Sequence, residues 1–378
     1  MPYNSRQHTM ENILSRLTGG GGRKIPSLDG LRAISIALVI LAHLGGTRNF
    51  PFATDSGRFD LNLGVLGVRV FFVISGFLIT GLLLEEKAKT GAISLKYFYL
   101  RRTFRIFPPF YVFLAVVLAL TLTALLTIPL SEFVYAATYT MNFVMNRGWY
   151  LGHLWSLAVE EQFYLLWPFL LVSLGVPMAM RWALAVVVLS PLVRIGVTYL
   201  FPSQMAGIGS TFYTIADPLA VGCCLSGFAR ELSGNRRYQG LLQSNWMPVI
   251  AASIFVVNAL PGTKLNFLIF QSYLNIAIAL CLESVVRYPR TAVGRLLNLA
   301  PLRAIGVLSY SLYLWQQMFI IRTGSFWWNA FPANLLLACV CALASFFLVE
   351  TPALELRKRL ERGMRGQSAV PARTSSAA

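Results

Sequence analysis

Ten apolar stretches run through this chain at near-regular intervals, and no other feature limits its possible folds as much. They lie at approximately 31–47, 64–84, 107–130, 162–180, 182–201, 211–229, 245–261, 265–283, 304–321 and 331–349. Crossing a bilayer takes about 20 mostly apolar residues, and a helix satisfies its own backbone there. The seventh stretch is the weakest, with Met247-Pro248 near its start. Only Arg181 and its neighbours separate the fourth from the fifth. The first follows Arg23 and Lys24, as a signal peptide would. No small-residue cleavage site comes after it and nine further runs do, so it reads as retained. The expectation is an all-α, polytopic integral membrane protein with about ten transmembrane helices.

Composition agrees. Of 378 residues, 56% are hydrophobic and 12% charged, too few polar groups to coat a soluble globule. Yet the net charge is +17, from 32 Lys and Arg against 15 Asp and Glu. With residues 1–30 placed in the cytosol and the spans alternating, 24 of the 32 basic residues fall on the cytosolic side. Five (Arg48, Arg58, Arg147, Lys264 and Arg322) fall in outer loops, and Arg32, Arg69 and Arg194 lie in or beside spans. This bias follows the positive-inside rule and puts both termini in the cytosol. An error of one span would spoil it. The charge is therefore topological and calls for no nucleic-acid partner. The five cysteines all sit in apolar stretches, which suits core packing and neither a disulfide framework nor a metal site.

Residues 1–24 form a polar cytosolic segment with a linker at Gly19–Gly22. Residues 25–355 make one transmembrane domain. Residues 356–378 are a basic, then Ser/Ala-rich cytosolic tail, with disorder expected over 366–378. There is no internal repeat, no second soluble domain, and no pair of interrupted helices such as repeat-built transporters show.

Ionisable side chains inside spans are costly and point to function. Arg32 and His43 both lie in the first stretch, eleven residues apart. On a helix that is three turns, so both point the same way, with His43 ~16 Å beyond Arg32 and about halfway across the core or a little further. The plain alternative is a packed histidine and an arginine snorkelling to headgroups. A neutral imidazole at that depth suits a general base. In the second stretch, Gly64, Gly67, Gly76 and Gly81 allow close helix approach. Arg69, also there, reads most simply as an ion pair with Asp60 or another nearby acid.

The cytosolic run KYFYLRRTFRIFPPFYV follows. Arg102 and Arg105 share a helical face there, and arginine forks bind phosphate oxygens. Pro108 and Pro109 are expected to set the start of the next helix. In HLWSLAVEEQFYLLWP, Ser156 can cap a helix whose first turns carry Glu160 and Glu161. A carboxylate from this loop meeting His43 would orient the imidazole. Asp217 precedes Pro218 at the sixth stretch. Ser309, Tyr310, Tyr313 and Gln316 mark the ninth, and Glu350 stands at the cytosolic end of the tenth, where it can neutralise a loop arginine.

Together these segments resemble the membrane acyltransferase-3 family, which includes bacterial O-antigen, exopolysaccharide and Nod-factor O-acyltransferases. The resemblance covers roughly 25–355 and rests on six elements in order: IPSLDGLRAISIALVILAHL, with Arg32 and His43 in an Arg-x10-His pattern; GVRVFFVISGF; RRTFRIFP; WSLAVEEQFYLLWP; SYSLYLW; and Glu350-x-Pro352. It implies transfer of an acyl group, most simply acetyl, from cytosolic acyl-CoA to a carbohydrate hydroxyl at the outer face of a bacterial inner membrane. It implies a catalytic role for His43, donor binding by Arg32, Arg102 and Arg105, and supporting places for Asp217, Tyr313 and Glu350. Glu160 is the candidate for orienting the histidine or the acceptor. No metal is implied.

The chain departs from the pattern at Arg69, where the family commonly has an acidic or apolar residue. Ile215 stands where an arginine is frequent, and Gln316 where many members have a histidine, so Gln316 is given no catalytic role. The reading expects no secreted esterase-like domain fused at the C-terminus. The rival reading is a glycan transporter or exporter in which His43 and Glu160 relay protons; a membrane scaffold is the third. The acceptor could be a polysaccharide, a lipid-linked oligosaccharide, peptidoglycan or a small glycoside. The sequence leaves open a longer acyl donor, an acyl-His43 intermediate and the oligomeric state.

Overall fold

The computed structural model describes residues 25–52, 62–260, 269–324 and 326–368. Among the described residues all regular structure is helical. The principal helices are α1 (Pro26–Leu44), α2 (Leu63–Thr90), α3 (Leu95–Leu122), α4 (Leu154–Ser173), α5 (Val176–Leu200), α6 (Asp217–Gly227), α7 (Trp246–Asn258), α8 (Gln271–Arg287), α9 (Ala300–Phe319), α10 (Ala333–Ser345) and α11 (Thr351–Ser368). Each of the ten apolar stretches overlaps one of α1 to α10.

Among the described residues, five helical rods are long and apolar enough to cross a membrane: α1, α2, α3, α5 and the continuous Ala333–Met364, made of α10, a π-helical turn and most of α11. A sixth arises if α7 and the short helix Arg236–Gln243, bent by 71°, count as one span. The expectation of ten was built on apolar length and the bias of basic residues. Helix α6 has 11 residues and α7 has 13, because Asp217-Pro218 and the break at 244–245 interrupt the helical run.

Three boundaries differ from the sequence reading. Helix α3 begins far ahead of the prolines: Ser94 caps it by accepting from the Tyr97 N–H (3.4 Å). Pro108 and Pro109 therefore lie inside it, where packing neighbours keep a proline-bearing membrane helix continuous. Ser156 caps nothing, since α4 has already begun at Leu154. The fourth and fifth stretches divide at Gly175, not Arg181. Gly175 takes φ +76°, a left-handed conformation that suits glycine and ends the α4 run, and Arg181 lies within α5.

The helices form a central row in which α6 packs on α2, α2 on α1, α1 on α9 and α9 on α10. The glycines of α2 make this possible. Gly64 and Gly67 face Ala42 and Ser35 of α1, whereas Gly76 and Gly81 face Leu219 and Ser226 of α6. A Cβ at Gly76 would fall 2.0 Å from the Leu219 carbonyl oxygen, and one at Gly222 would fall 2.2 Å from that of Val73. The α2–α6 backbones touch, as small-residue pairs in membranes allow. At the rim, Leu165 and Phe169 of α4 and Val188 and Leu192 of α5 are each more than half exposed. Apolar surface this continuous belongs against hydrocarbon.

Candidate active site

Arg32 on α1 and Arg102 and Arg105 on α3 converge on one cavity of about 80 Å³. Its walls also carry Ser75 of α2, Glu160, Glu161 and Tyr164 of α4, and Tyr310 and Tyr313 of α9. Arg32 leans on Asp29, 3.5 Å away. The Arg102 guanidinium lies 4.9 Å from the Tyr164 ring centre, a cation–π contact. Beside the cavity, Arg101 pairs with Glu86 (3.0 Å). The RxxR spacing works here because α3 is helical from Leu95, so both forks face the same way.

Glu160 is the cavity's central acid. Ser75 Oγ and the Tyr164 hydroxyl both donate to its Oε1. Its carboxylate is thereby held within the arginine-lined cavity that Arg32 and Arg102 share. Glu350, on the π-helical turn, is buried, accepts from Ser311 Oγ (3.2 Å), and lies in the electrostatic range of Arg105 and Arg32. The Tyr313 hydroxyl donates to the His153 carbonyl (2.9 Å) and shares a 2.5 Å hydrogen bond with Ser156 Oγ. Tyr313 thus pins the start of α4, and with it the register of Glu160. Tyr310 donates to the Ile106 carbonyl (2.9 Å), tying α9 to α3 next to its prolines.

His43 shares α1 with Arg32 but sits in the last turn of that helix, nearer its end than the sequence implied. The helix stops at Leu44 because Gly45 and Gly46 follow, and Arg322 caps it by donating to the Ala42 carbonyl (2.9 Å). His43 does not line the cavity. Ile36 and Val39, on the same helical face between the two, are fully buried. The imidazole Nδ1 is 2.8 Å from Gln316 Oε1 of α9. Its ring meets the Trp149 indole edge-on at 5.4 Å, and the Trp149 Nε1–H donates to the Gln317 carbonyl (3.1 Å). Gln316 is three residues beyond Tyr313, so this second polar site begins about one helical turn past the cavity's end.

A model of the acyltransferase domain, Acyl_transf_3, matches residues 25–351. The chain belongs to the acyltransferase-3 family. Curated relatives include a putative peptidoglycan O-acetyltransferase of Bacillus subtilis, 30% identical over 366 residues, which are 87% of this chain and 55% of that protein. A peptidoglycan O-acetyltransferase of Listeria monocytogenes is 31% identical over 374 residues, 90% of this chain and 57% of its own length. An O-acetyltransferase of Staphylococcus aureus is 29% identical, with 87% and 57% covered. The chain thus spans little more than half the length of these relatives. No solved structure matches it.

This acyltransferase-3 chain has a further buried polar cluster on the other side of α2. Arg194 of α5 donates from one nitrogen to Asp217 Oδ2 (2.9 Å) and the Thr214 carbonyl (3.0 Å). Asn275 of α8 donates to the same Asp217 oxygen (2.8 Å), and Arg69 donates to Asn275 Oδ1 (3.0 Å) and Gln271 Oε1 (2.8 Å). Arg69 therefore serves this network; Asp60, its partner in the sequence reading, lies outside the described residues. The guanidinium that meets Asp217 is that of Arg194. The sequence reading also missed Ser75, Tyr164, Trp149 and Gln316 as parts of the two sites. Gln316 was visible as an amide on an apolar face, but only the fold shows that this face meets His43.

Proposed function

We propose that this chain is a membrane O-acyltransferase that moves an acyl group, most simply acetyl, from cytosolic acyl-CoA to a carbohydrate hydroxyl at the outer face of a bacterial inner membrane. The observation that carries this reading is the layout of two polar sites on one helix. Three arginines line a cavity at Arg32, and an oriented histidine stands eleven residues further along α1. That separation is ~16 Å along the helix. The expected excess of basic residues on the cytosolic side supports putting these arginines on the side where acyl-CoA is made.

Arg102 and Arg105, with Arg32, hold the CoA phosphates, since guanidinium forks match phosphate oxygens. From the arginine-lined cavity the slender thioester arm extends beyond the phosphates. The arm points along α1 toward His43, and Ile36 and Val39 must part to let it reach. His43 takes the proton from the acceptor hydroxyl as that oxygen attacks the thioester carbonyl carbon. The new C–O bond forms, the C–S bond breaks, and the CoA thiolate leaves and receives the proton. Transfer through an acyl-His43 fits the same geometry. Glu160 and Glu350 balance the arginines until phosphate replaces them.

The relatives whose names specify peptidoglycan make a peptidoglycan sugar hydroxyl the acceptor of choice here. A transporter with an intramembrane proton relay is the competing function, and it predicts substrate movement without CoA. Purified protein is therefore titrated with a non-hydrolysable acetyl-CoA analogue. Saturable binding that weakens in Arg102→Ala supports the transferase. No binding by the wild-type chain contradicts it.

A further inference from the structure

We infer that Gln316 is a positioning residue for His43: its amide oxygen holds the imidazole in one tautomer and aims the opposite ring nitrogen at the reacting hydroxyl. The inference rests on the reading of His43 as the reacting base. It concerns a residue to which the family pattern assigned no catalytic role.

Gln316 Oε1 lies 2.8 Å from His43 Nδ1. An amide oxygen only accepts hydrogen bonds, so Nδ1 carries the hydrogen and Nε2 carries the lone pair. That fixes which nitrogen can take a proton. The Gln316 side chain is fully buried, and its Nε2 has no hydrogen-bond partner among the described residues. A glutamine kept only to satisfy the core would have both ends bonded. Here the contact that defines the side chain is the one to the histidine.

The surrounding structure holds this contact in place. Tyr313, one turn before Gln316, is bonded to the His153 carbonyl, and Trp149 is bonded to the Gln317 carbonyl just after it. The same Trp149 ring abuts His43 at 5.4 Å. Helix α9 is fastened on both sides of Gln316, and the imidazole is walled by an indole. When His43 takes the proton, the Nδ1–H bond to Gln316 becomes charge-assisted and stabilises the imidazolium, as a carboxylate does in hydrolase triads. A neutral amide does so without placing a fixed negative charge inside the membrane.

The test compares four full-length proteins with labelled acetyl-CoA as donor and disaccharide fragments of peptidoglycan as acceptor: wild type, Gln316→Leu, Gln316→Glu and His43→Ala. Gln316→Leu is expected to lower kcat about tenfold to a hundredfold with KM for acetyl-CoA unchanged, a part of what a general base contributes. Gln316→Glu keeps an acceptor oxygen at the same place and is expected to return kcat to within about threefold of wild type. A Gln316→Leu protein with wild-type kcat overturns the inference, and so does equal loss in the Leu and Glu variants. If His43→Ala itself keeps wild-type activity, the underlying reading falls. If His43→Ala is inactive while Gln316→Leu is normal, only the role of Gln316 falls.

Discussion

A charged or polar side chain inside an apolar helix has to be given something to do, and here the residues sort by what they meet. Arg102 meets the cavity and the Tyr164 ring. Truncating it to alanine removes charge-assisted hydrogen bonds to phosphate of about 1.5–3 kcal/mol. The expected outcome is a KM for acyl-CoA raised about tenfold or more, read in membrane assays, with kcat much less changed. Tyr164 donates to a part-buried carboxylate, so Tyr164→Phe should lower stability by up to about 1.5–3 kcal/mol, read as an earlier melt in detergent. Arg32 and His43 were legible as ionisable groups in an apolar stretch, and Arg102 and Arg105 as a pair on one helical face of a cytosolic run. Gln316 and Ser75 were not, because neutral polar groups are common in such helices. Their meaning comes from partners 273 and 85 residues away.

At the scale of elements, the fold is held by close backbone contacts and by one buried ion cluster. Replacing Asp217 with leucine leaves the fully buried Arg194 without its acid and should cost about 3–5 kcal/mol. The double variant Asp217→Leu/Arg194→Met should recover much of that loss, because a well-packed apolar pair is often no worse than a buried ion pair. Thermal unfolding of the three proteins measures this directly. Helix identity was readable from apolar length, and the small-residue faces of α2 were readable from glycine spacing. Helix ends were not. The sequence reading puts the start at Pro108-Pro109, yet the Ser94 cap places it at Leu95, thirteen residues earlier than Pro108. It also took Arg181 as a separator, whereas Gly175 makes the break with a left-handed backbone. Local signals compete at such points, and packing decides between them.

At the scale of the whole molecule, the proposal needs the arginine end of the bundle to face the cytosol and the His43 end to face outward. The expected topology of ten alternating spans argues for this, since it would put 24 of 32 basic residues on the cytosolic side. Reporter fusions check it: a fluorescent protein fused after Ala378 should fold and glow, and an alkaline phosphatase fused there should stay inactive. Phosphatase activity at that position would invert the topology. The apolar residues exposed on α4 and α5 are what a bilayer-facing rim requires, and they explain why so hydrophobic a chain still buries arginines at its centre. The account joins these scales in one claim, that His43 performs acyl transfer with a donor held by the arginine cavity. The most direct measurement is transfer of label from acetyl-CoA to peptidoglycan fragments by membranes carrying the wild-type chain or His43→Ala at matched expression. The account predicts CoA-dependent transfer by the wild type and a loss of at least a hundredfold in the variant. Wild-type transfer by His43→Ala would contradict it.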